Sequence, residues 1–245
     1  MIGIVVVSHS PALAEAAVAL ALEMAGSAPP TIVVAAGVAD GVGASATGTD
    51  AVRVAAAIDE AASPDGVLVF MDLGSAVLSA SMALEFRESE CEVRLSAAPF
   101  VEGIVAGVVL AAAGATLDDA DREASGAMIA KNAQLDGPGE GGAASSVPAA
   151  GENSDAVAEA TVVNEVGVHA RPAALIVAKA AGFDARVTIA DADDPTRSAP
   201  AGSLLVLMGL GLAKGTRLRF TGSGPDAAAA VEALRAMTAD GFGET

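Results

Sequence analysis

Short unbroken apolar runs alternate with longer stretches of helical period through the first half of the chain. The runs Ile2–Val7, Thr31–Ala36, Gly66–Met71 and Glu92–Ala97 have strand length. Runs without polar alternation mark strands buried on both faces. Between them, helices are expected from Pro11 toward Gly26, from Asp50 to Ala61 and, after Asp72-Leu73-Gly74-Ser75, to about Phe86. Ser10 suits the cap of the first, with Pro11 in its first turn. Thr49 is expected to cap the second, with Val52, Ala55, Ala56 and Ile58 facing inward. Further helical runs occupy Val101–Ala113 and Leu117–Gln134. Strands alternating with helices predict a mostly parallel sheet with helices on both faces.

The pattern breaks at Leu135–Asp155, where Gly, Pro, Ser and Ala dominate and no period survives. This stretch reads as a flexible linker between residues 1–134 and 156–245. The spacing of Gly137, Gly139 and Gly142 matches a dinucleotide fingerprint, but no strand precedes it and no helix follows. Beyond the linker, strands are expected at Ala156–Val163, Ala185–Ala190, Thr196–Ala199 and Thr216–Thr221. Helices are expected from Pro172 to about Ala181, at Leu204–Met208 behind a Ser203 cap, and at Pro225–Ala239. This order suits a smaller α+β unit, an antiparallel sheet with helices on one face.

Composition narrows the function. The net charge of −18 opposes binding to nucleic acid or to an anionic membrane. Trp and Tyr are absent and Phe occurs six times, leaving few platforms for stacking bases. A single cysteine, Cys91, suits a reducing compartment, and two histidines with one cysteine make a structural metal site improbable. Met1-Ile2-Gly3 has no basic start of a secretory signal, and Gly103–Ala115 and Leu204–Ala213 fall short of the ~20 residues that span a bilayer. A cytoplasmic protein is expected.

The chemistry concentrates at those two histidines. His9 follows the first strand and precedes Ser10-Pro11; His169 follows a strand and precedes Ala170-Arg171-Pro172. Each therefore sits just ahead of a helix N-terminus, where free N–H groups and the helix dipole favour an anion. Arg171 adds a fixed positive charge beside His169. An imidazole nitrogen in that setting can accept a phosphoryl group, provided that its other nitrogen is held in one tautomer. Asp72 ends a neighbouring strand and can do this for His9; it can equally be a helix cap. Ser8, Ser10, Ser75 and Thr49 are candidate donors to phosphate oxygens, and each can equally be a cap or turn residue.

Gly167-Val168-His169-Ala170-Arg171-Pro172 resembles the active-site motif of HPr, the histidine phosphocarrier of the bacterial sugar phosphotransferase system. The resemblance covers about the last third of the chain. It implies an open-faced α+β sandwich in which His169 takes phosphate on Nδ1 from phospho-enzyme I and Arg171 steadies it. The first ~130 residues resemble the phosphotransferase subunits of dihydroxyacetone kinases, related to mannose-class IIA components. The segments Val7-Ser8-His9-Ser10, Gly48-Thr49-Asp50-Ala51-Val52, Met71-Asp72-Leu73-Gly74-Ser75 and Ala97–Gly103 carry this resemblance. It implies phosphorylation of His9 on Nε2, an orienting role for Asp72, and transfer to ADP on the kinase's nucleotide-binding subunit. The ATP formed there would phosphorylate dihydroxyacetone on a third subunit. Phosphoenolpyruvate, through a separately supplied enzyme I, would be the phosphate source, with no cofactor bound by this chain. The relatives imply a homodimer.

Two features depart from these families. Leu73-Gly74-Ser75-Ala76 replaces the Gly-Gly-Ser-Pro usual in the mannose class, which favours the dihydroxyacetone branch over a carrier for a membrane sugar transporter. Leu204-Leu205-Val206 after Ser203 replaces the usual Ile-Met-Gly of HPr. That change bears on docking to enzyme I and on Ser203 as a regulatory phosphorylation site. A regulatory module controlled by phosphorylation is the non-catalytic alternative.

Overall fold

The computed structural model describes residues 1–25, 28–39, 45–128, 132 and 155–244. The chain forms two compact units, Met1–Met128 and Ile129–Thr245. The expected linker lies outside the described residues except for Asp155, as do the glycine triplet within it and the loop segment 40–44.

In the first unit, strands β1 (Gly3–Ser8), β2 (Ile32–Ala36), β5 (Val67–Met71) and β6 (Val93–Leu95) form one sheet in the order β2-β1-β5-β6. All its pairings are parallel. A two-stranded hairpin pairs β3 (Val38–Ala39) with β4 (Ser45–Ala46). The helices are α1 (Pro11–Leu22), α2 (Ala51–Glu60), α3 (Gly74–Phe86), α4 (Phe100–Ala112) and α5 (Leu117–Ser125). The unbroken apolar runs have their predicted consequence: every residue of β1 and of β5 is buried. Among the described residues no helix is long and apolar enough to cross a membrane.

Two expectations about α2 are corrected. Asp50, not Thr49, is its cap, accepting from the Arg53 N–H at 2.9 Å. The inner face is Val54, Ala55, Ala57 and Ile58, while Val52 is 67 % exposed. A helix built largely of Val and Ala has more than one apolar stripe, so packing of Val54 and Ile58 against the sheet decides its rotation. Helix α5, the first part of the run expected over Leu117–Gln134, ends at Ser125 with Gly126 as its C-cap; Ala127 and Met128 are helical again, and 129–131 and 133–134 lie outside the described residues.

Helix α4 lies unusually close to the sheet. All nine residues from Gly103 to Ala111 are buried. A Cβ built on Gly107 would stand 2.5 Å from Phe70 Cζ, and one on Gly103 would stand 2.6 Å from Ala98 Cβ. Both glycines therefore leave room that the β5 side and the turn before α4 fill.

The second unit contains β7 (Ala156–Thr161), α6 (Ala170–Ala180), β8 (Arg186–Asp191), β9 (Ser198–Pro200), α7 (Leu204–Gly209), β10 (Arg217–Ser223) and α8 (Ala227–Ala239). Its sheet is antiparallel in the order β7-β10-β8-β9. Leu218 and Phe220 point into the core while Arg217 and Arg219 face solvent, as the alternation in that strand predicts. A Cβ on Gly222 would meet Val231 Cγ2 at 2.7 Å, so α8 rests directly on β10. Helix α6 starts at Ala170, which places Pro172 third rather than first. The position remains permissive, because the first four N–H groups of a helix have no intrahelical acceptor.

Gly107→Ala should lower the unfolding free energy of the first unit by about 1–3 kcal/mol through overpacking against Phe70. The urea midpoint of that unit's transition measures it; an unchanged midpoint would show that α4 can move away at no cost.

Candidate functional site

The topology delivers His9 and Asp72 to one place. Val7 and Met71 are register partners on adjacent strands β1 and β5. The next residues therefore emerge side by side, and the Asp72 N–H donates to the Val7 carbonyl at 3.2 Å. From β1 the chain passes to one neighbour, β2, and only later crosses to the other, β5. The carboxyl ends of β1 and β5 therefore form the topological switch point, where the loops part and a binding crevice opens.

Asp72 is enclosed by donors. Its Oδ1 accepts from His9 Nδ1 at 2.8 Å and from the Leu73 N–H at 2.7 Å; its Oδ2 accepts from the His9 N–H at 2.8 Å and from Ser8 Oγ at 2.9 Å. Only 6 % of the side chain is exposed. Burial pushes the carboxyl's pKa up, but the His9 amide and imidazole, the Ser8 hydroxyl and the Leu73 amide outweigh it and hold the group below its ordinary value. The carboxylate is thus ionised at neutral pH, and its partner nitrogen Nδ1 carries the proton. In the neutral ring the lone pair then falls on His9 Nε2, which lies 2.6 Å from Ser75 Oγ. Asp72 itself stands one residue ahead of the α3 cap position, which Leu73 fills without a side-chain bond. The open first turn of a 13-residue helix is thus presented beside Nε2, a setting for an anion.

The other predicted hydroxyls are engaged elsewhere. Ser10 caps α1, accepting from the Leu13 N–H at 3.3 Å. Thr49 Oγ1 pairs with Ser79 Oγ on α3 at 2.7 Å. Its segment still belongs to the rim of the site, because the adjoining Gly48 N–H donates to the His9 carbonyl at 3.2 Å. Ser8 is fully buried and faces Asp72 rather than the open nitrogen.

His169 is the N-cap residue of α6. Gly167 makes the turn before it at φ +78, and a Cβ there would stand 2.3 Å from the Leu212 carbonyl oxygen, so only glycine fits. The His169 ring is held from the opposite side to that of His9. Its Nε2 lies 3.1 Å from Glu244 Oε2. The same oxygen accepts from Asn164 Nδ2 at 3.1 Å, and Nδ2 also donates to the Gly167 carbonyl at 2.7 Å. With Nε2 as the N–H donor, Nδ1 is the nitrogen with the lone pair. It has no hydrogen-bond partner among the described residues. Arg171 is 66 % exposed in the first turn of α6, with its Nε 4.0 Å from Glu244 Oε1. Ser203 caps α7, accepting from the Val206 N–H at 3.4 Å.

Glu244 and Asn164 were missed by the sequence reading. Glu244 is brought in by the turn Gly241–Gly243, whose Phe242 is 5 % exposed and holds φ 59. A buried aromatic in the left-handed region is strained unless its packing compensates. Phe242 is one of few aromatics in the chain and stands between two glycines, the one sequence signal that the tail is anchored.

Each unit thus presents a histidine with one ring nitrogen held by a carboxylate and the other facing a helix start, a geometry that chemically could accept a phosphoryl group. Residues 3–121 match the family described as the PTS system fructose IIA component, and residues 156–240 match the PTS HPr component phosphorylation site. The chain thus carries a region similar to the IIA family followed by a region similar to the HPr family. Over its whole length it is 39 % identical to the phosphoryl donor subunit DhaM of the PEP-dependent dihydroxyacetone kinase of Klebsiella michiganensis, covering 51 % of that protein. Identity to the corresponding subunit of Escherichia coli (strain K12) is 38 %, again over all of this chain and 51 % of the relative. The chain thus spans about half the length of the curated relatives it matches. The crystal structure of HPr-C-His from Thermoanaerobacter tengcongensis is 29 % identical over 37 % of this chain and 98 % of that one, with a TM-score of 0.34.

Because the Asp72 carboxyl is depressed in the folded state from its ordinary 3.8, its contribution to stability is complete above that value and is lost as pH falls through the lower folded value. The first unit should therefore lose less stability on acidification when it carries Asp72→Asn than when it is unaltered. Urea titrations across the acid range test this, and equal losses would show that Asp72 is not held as described.

Proposed function

We propose that this chain is a two-site phosphoryl carrier of the phosphoenolpyruvate-dependent phosphotransferase system that serves dihydroxyacetone phosphorylation. The observation that carries the reading is the opposite fixing of the two imidazoles: Asp72 on Nδ1 of His9, Glu244 on Nε2 of His169. A neutral nucleophilic nitrogen is thereby offered at a helix start in both units. Phosphoryl transfer asks mainly for positioning and charge stabilisation, which these groups supply.

In the proposed relay, the His169 Nδ1 lone pair attacks the phosphorus of phospho-enzyme I, and the donor's N–P bond breaks. The Nε2–H stays on the ring, facing Glu244. Arg171 and the first turn of α6 balance the phosphate charge. His9 Nε2 then attacks this phosphorus, the His169 N–P bond breaks, and its electron pair returns to Nδ1. The phosphate next sits against Ser75 and the first turn of α3, while the His9 Nδ1–H remains on Asp72. Finally, a terminal oxygen of ADP on the kinase's nucleotide-binding subunit attacks the phosphorus, the His9 N–P bond breaks with its electron pair returning to Nε2, and ATP is formed for the dihydroxyacetone-binding subunit.

The chain binds no cofactor in this scheme, with ADP and ATP held by the partner. It acts in the cytoplasm, apart from nucleic acid and membrane. It acts as a homodimer through its first unit; the outward α3 residues Leu78, Met82 and Phe86, 68 %, 54 % and 51 % exposed, support that state.

With enzyme I and phosphoenolpyruvate, His9→Ala should still gain acid-labile phosphate on His169 but deliver none to the kinase. His169→Ala should gain none alone, and a separate HPr should restore transfer through His9. Normal kinase turnover by His9→Ala, or no rescue of His169→Ala by HPr, would overturn the order of the relay. Mass spectrometry under alkaline conditions, with a coupled kinase assay, reads both outcomes.

A further inference from the structure

We propose that Ser8 is a positioning residue that acts on His9 through Asp72, and that it is not a phosphate ligand. The inference rests on the proposed carrier role of His9. Ser8 ends β1 with its side chain fully buried, so it cannot reach a phosphate on the open Nε2. Its Oγ lies between two partners. It accepts from the Ser10 N–H at 3.1 Å and donates to Asp72 Oδ2 at 2.9 Å, with the Ser10 carbonyl as a longer alternative acceptor at 3.1 Å. A hydroxyl has one proton, and the nearer, ionised acceptor takes it.

The Asp72 contacts define what this hydrogen bond does. Each carboxylate oxygen has two donors, His9 Nδ1 and Leu73 N–H on Oδ1, His9 N–H and Ser8 Oγ on Oδ2. Four donors fill the acceptor sites of a carboxylate and pin its plane. Three of them are fixed by the backbone or by the histidine itself; the Ser8 hydroxyl is the one supplied by a separate side chain. Without it, a buried oxygen loses a donor, and the carboxylate can turn to recover hydrogen bonds at the expense of the Nδ1 contact. Because Ser8 also holds the Ser10 amide, the hydroxyl links the turn that carries His9 to the carboxylate that orients it. Linked hydrogen bonds of this kind reinforce one another in a low-dielectric site.

Two variants in the full chain test this. Ser8→Ala removes the hydroxyl, and Ser8→Cys keeps a γ atom in the space while donating only weakly. The first readout is the imidazole 15N spectrum, with His169 in the same molecule as internal reference. Both variants should move His9 from the pure Nδ1–H form toward a mixture of tautomers while His169 is unchanged. The second is the rate at which His9 takes phosphate from a separate HPr, expected to fall by about tenfold in both, the loss of a charge-assisted hydrogen bond of about 1.4 kcal/mol. If Ser8→Cys kept the wild-type tautomer and rate, side-chain volume would be what matters and the proposal would fail. If both variants kept the wild-type tautomer, it would likewise fail. The tautomer readout needs no phosphoryl donor. Failure of unaltered His9 to accept phosphate would therefore count against the carrier reading, while the spectra would still decide the role of Ser8.

Discussion

The hydrogen bond between a carboxylate and one imidazole nitrogen is the interaction on which the chemistry of both units depends. An isolated imidazole shares its proton between two nitrogens and offers neither consistently. A carboxylate on Nδ1 or on Nε2 removes that ambiguity, and the choice of nitrogen decides where a bond to phosphorus forms. Here the two units make opposite choices. Asp72 engages Nδ1 of His9, and Glu244 engages Nε2 of His169. Each ring thereby keeps the nitrogen that its carboxylate does not engage.

The folds reach this state by different means. In the first unit the sheet does the positioning. The Val7–Met71 register and the switch point between β1 and β5 bring a histidine and an aspartate together from residues far apart in sequence. The supporting bonds come from backbone amides and one buried hydroxyl, so the His9 ring is the more enclosed, with 17 % of its side chain exposed. In the second unit the carboxylate comes from a turn beyond the last helix, held by a strained, buried Phe242. That site is more open, with 36 % of the His169 side chain exposed. Proteins can approach an open histidine at a surface corner more easily than one in a crevice.

Much of this was legible in the sequence because it rests on local rules. Unbroken apolar runs gave the buried parallel strands, alternation gave β10, and a histidine followed by a proline in a helix's first turn marked each site. Asp72 could be found because it ends a strand beside that of His9. Other features depend on contacts that local pattern does not encode. Thr49 and Asp50 are both able caps, and the choice between them is settled by Ser79, thirty residues away, which takes the Thr49 hydroxyl. The inner face of α2 is ambiguous because both of its stripes are apolar. Glu244 lies 75 residues from His169, and no local pattern in the sequence links the two. Ser8 was legible as a polar residue at the site, but only the strand's burial shows that its hydroxyl points away from the phosphate position.

The central claim is that the two carboxylates select opposite ring nitrogens. The direct measurement is the isomer of phosphohistidine at each site, read by 15N NMR of the imidazole-labelled chain after phosphorylation by enzyme I and phosphoenolpyruvate. The account predicts an N–P bond at Nε2 of His9 and at Nδ1 of His169. Phosphate on Nδ1 of His9, or on Nε2 of His169, would place it on the nitrogen that the carboxylate occupies and would contradict the account.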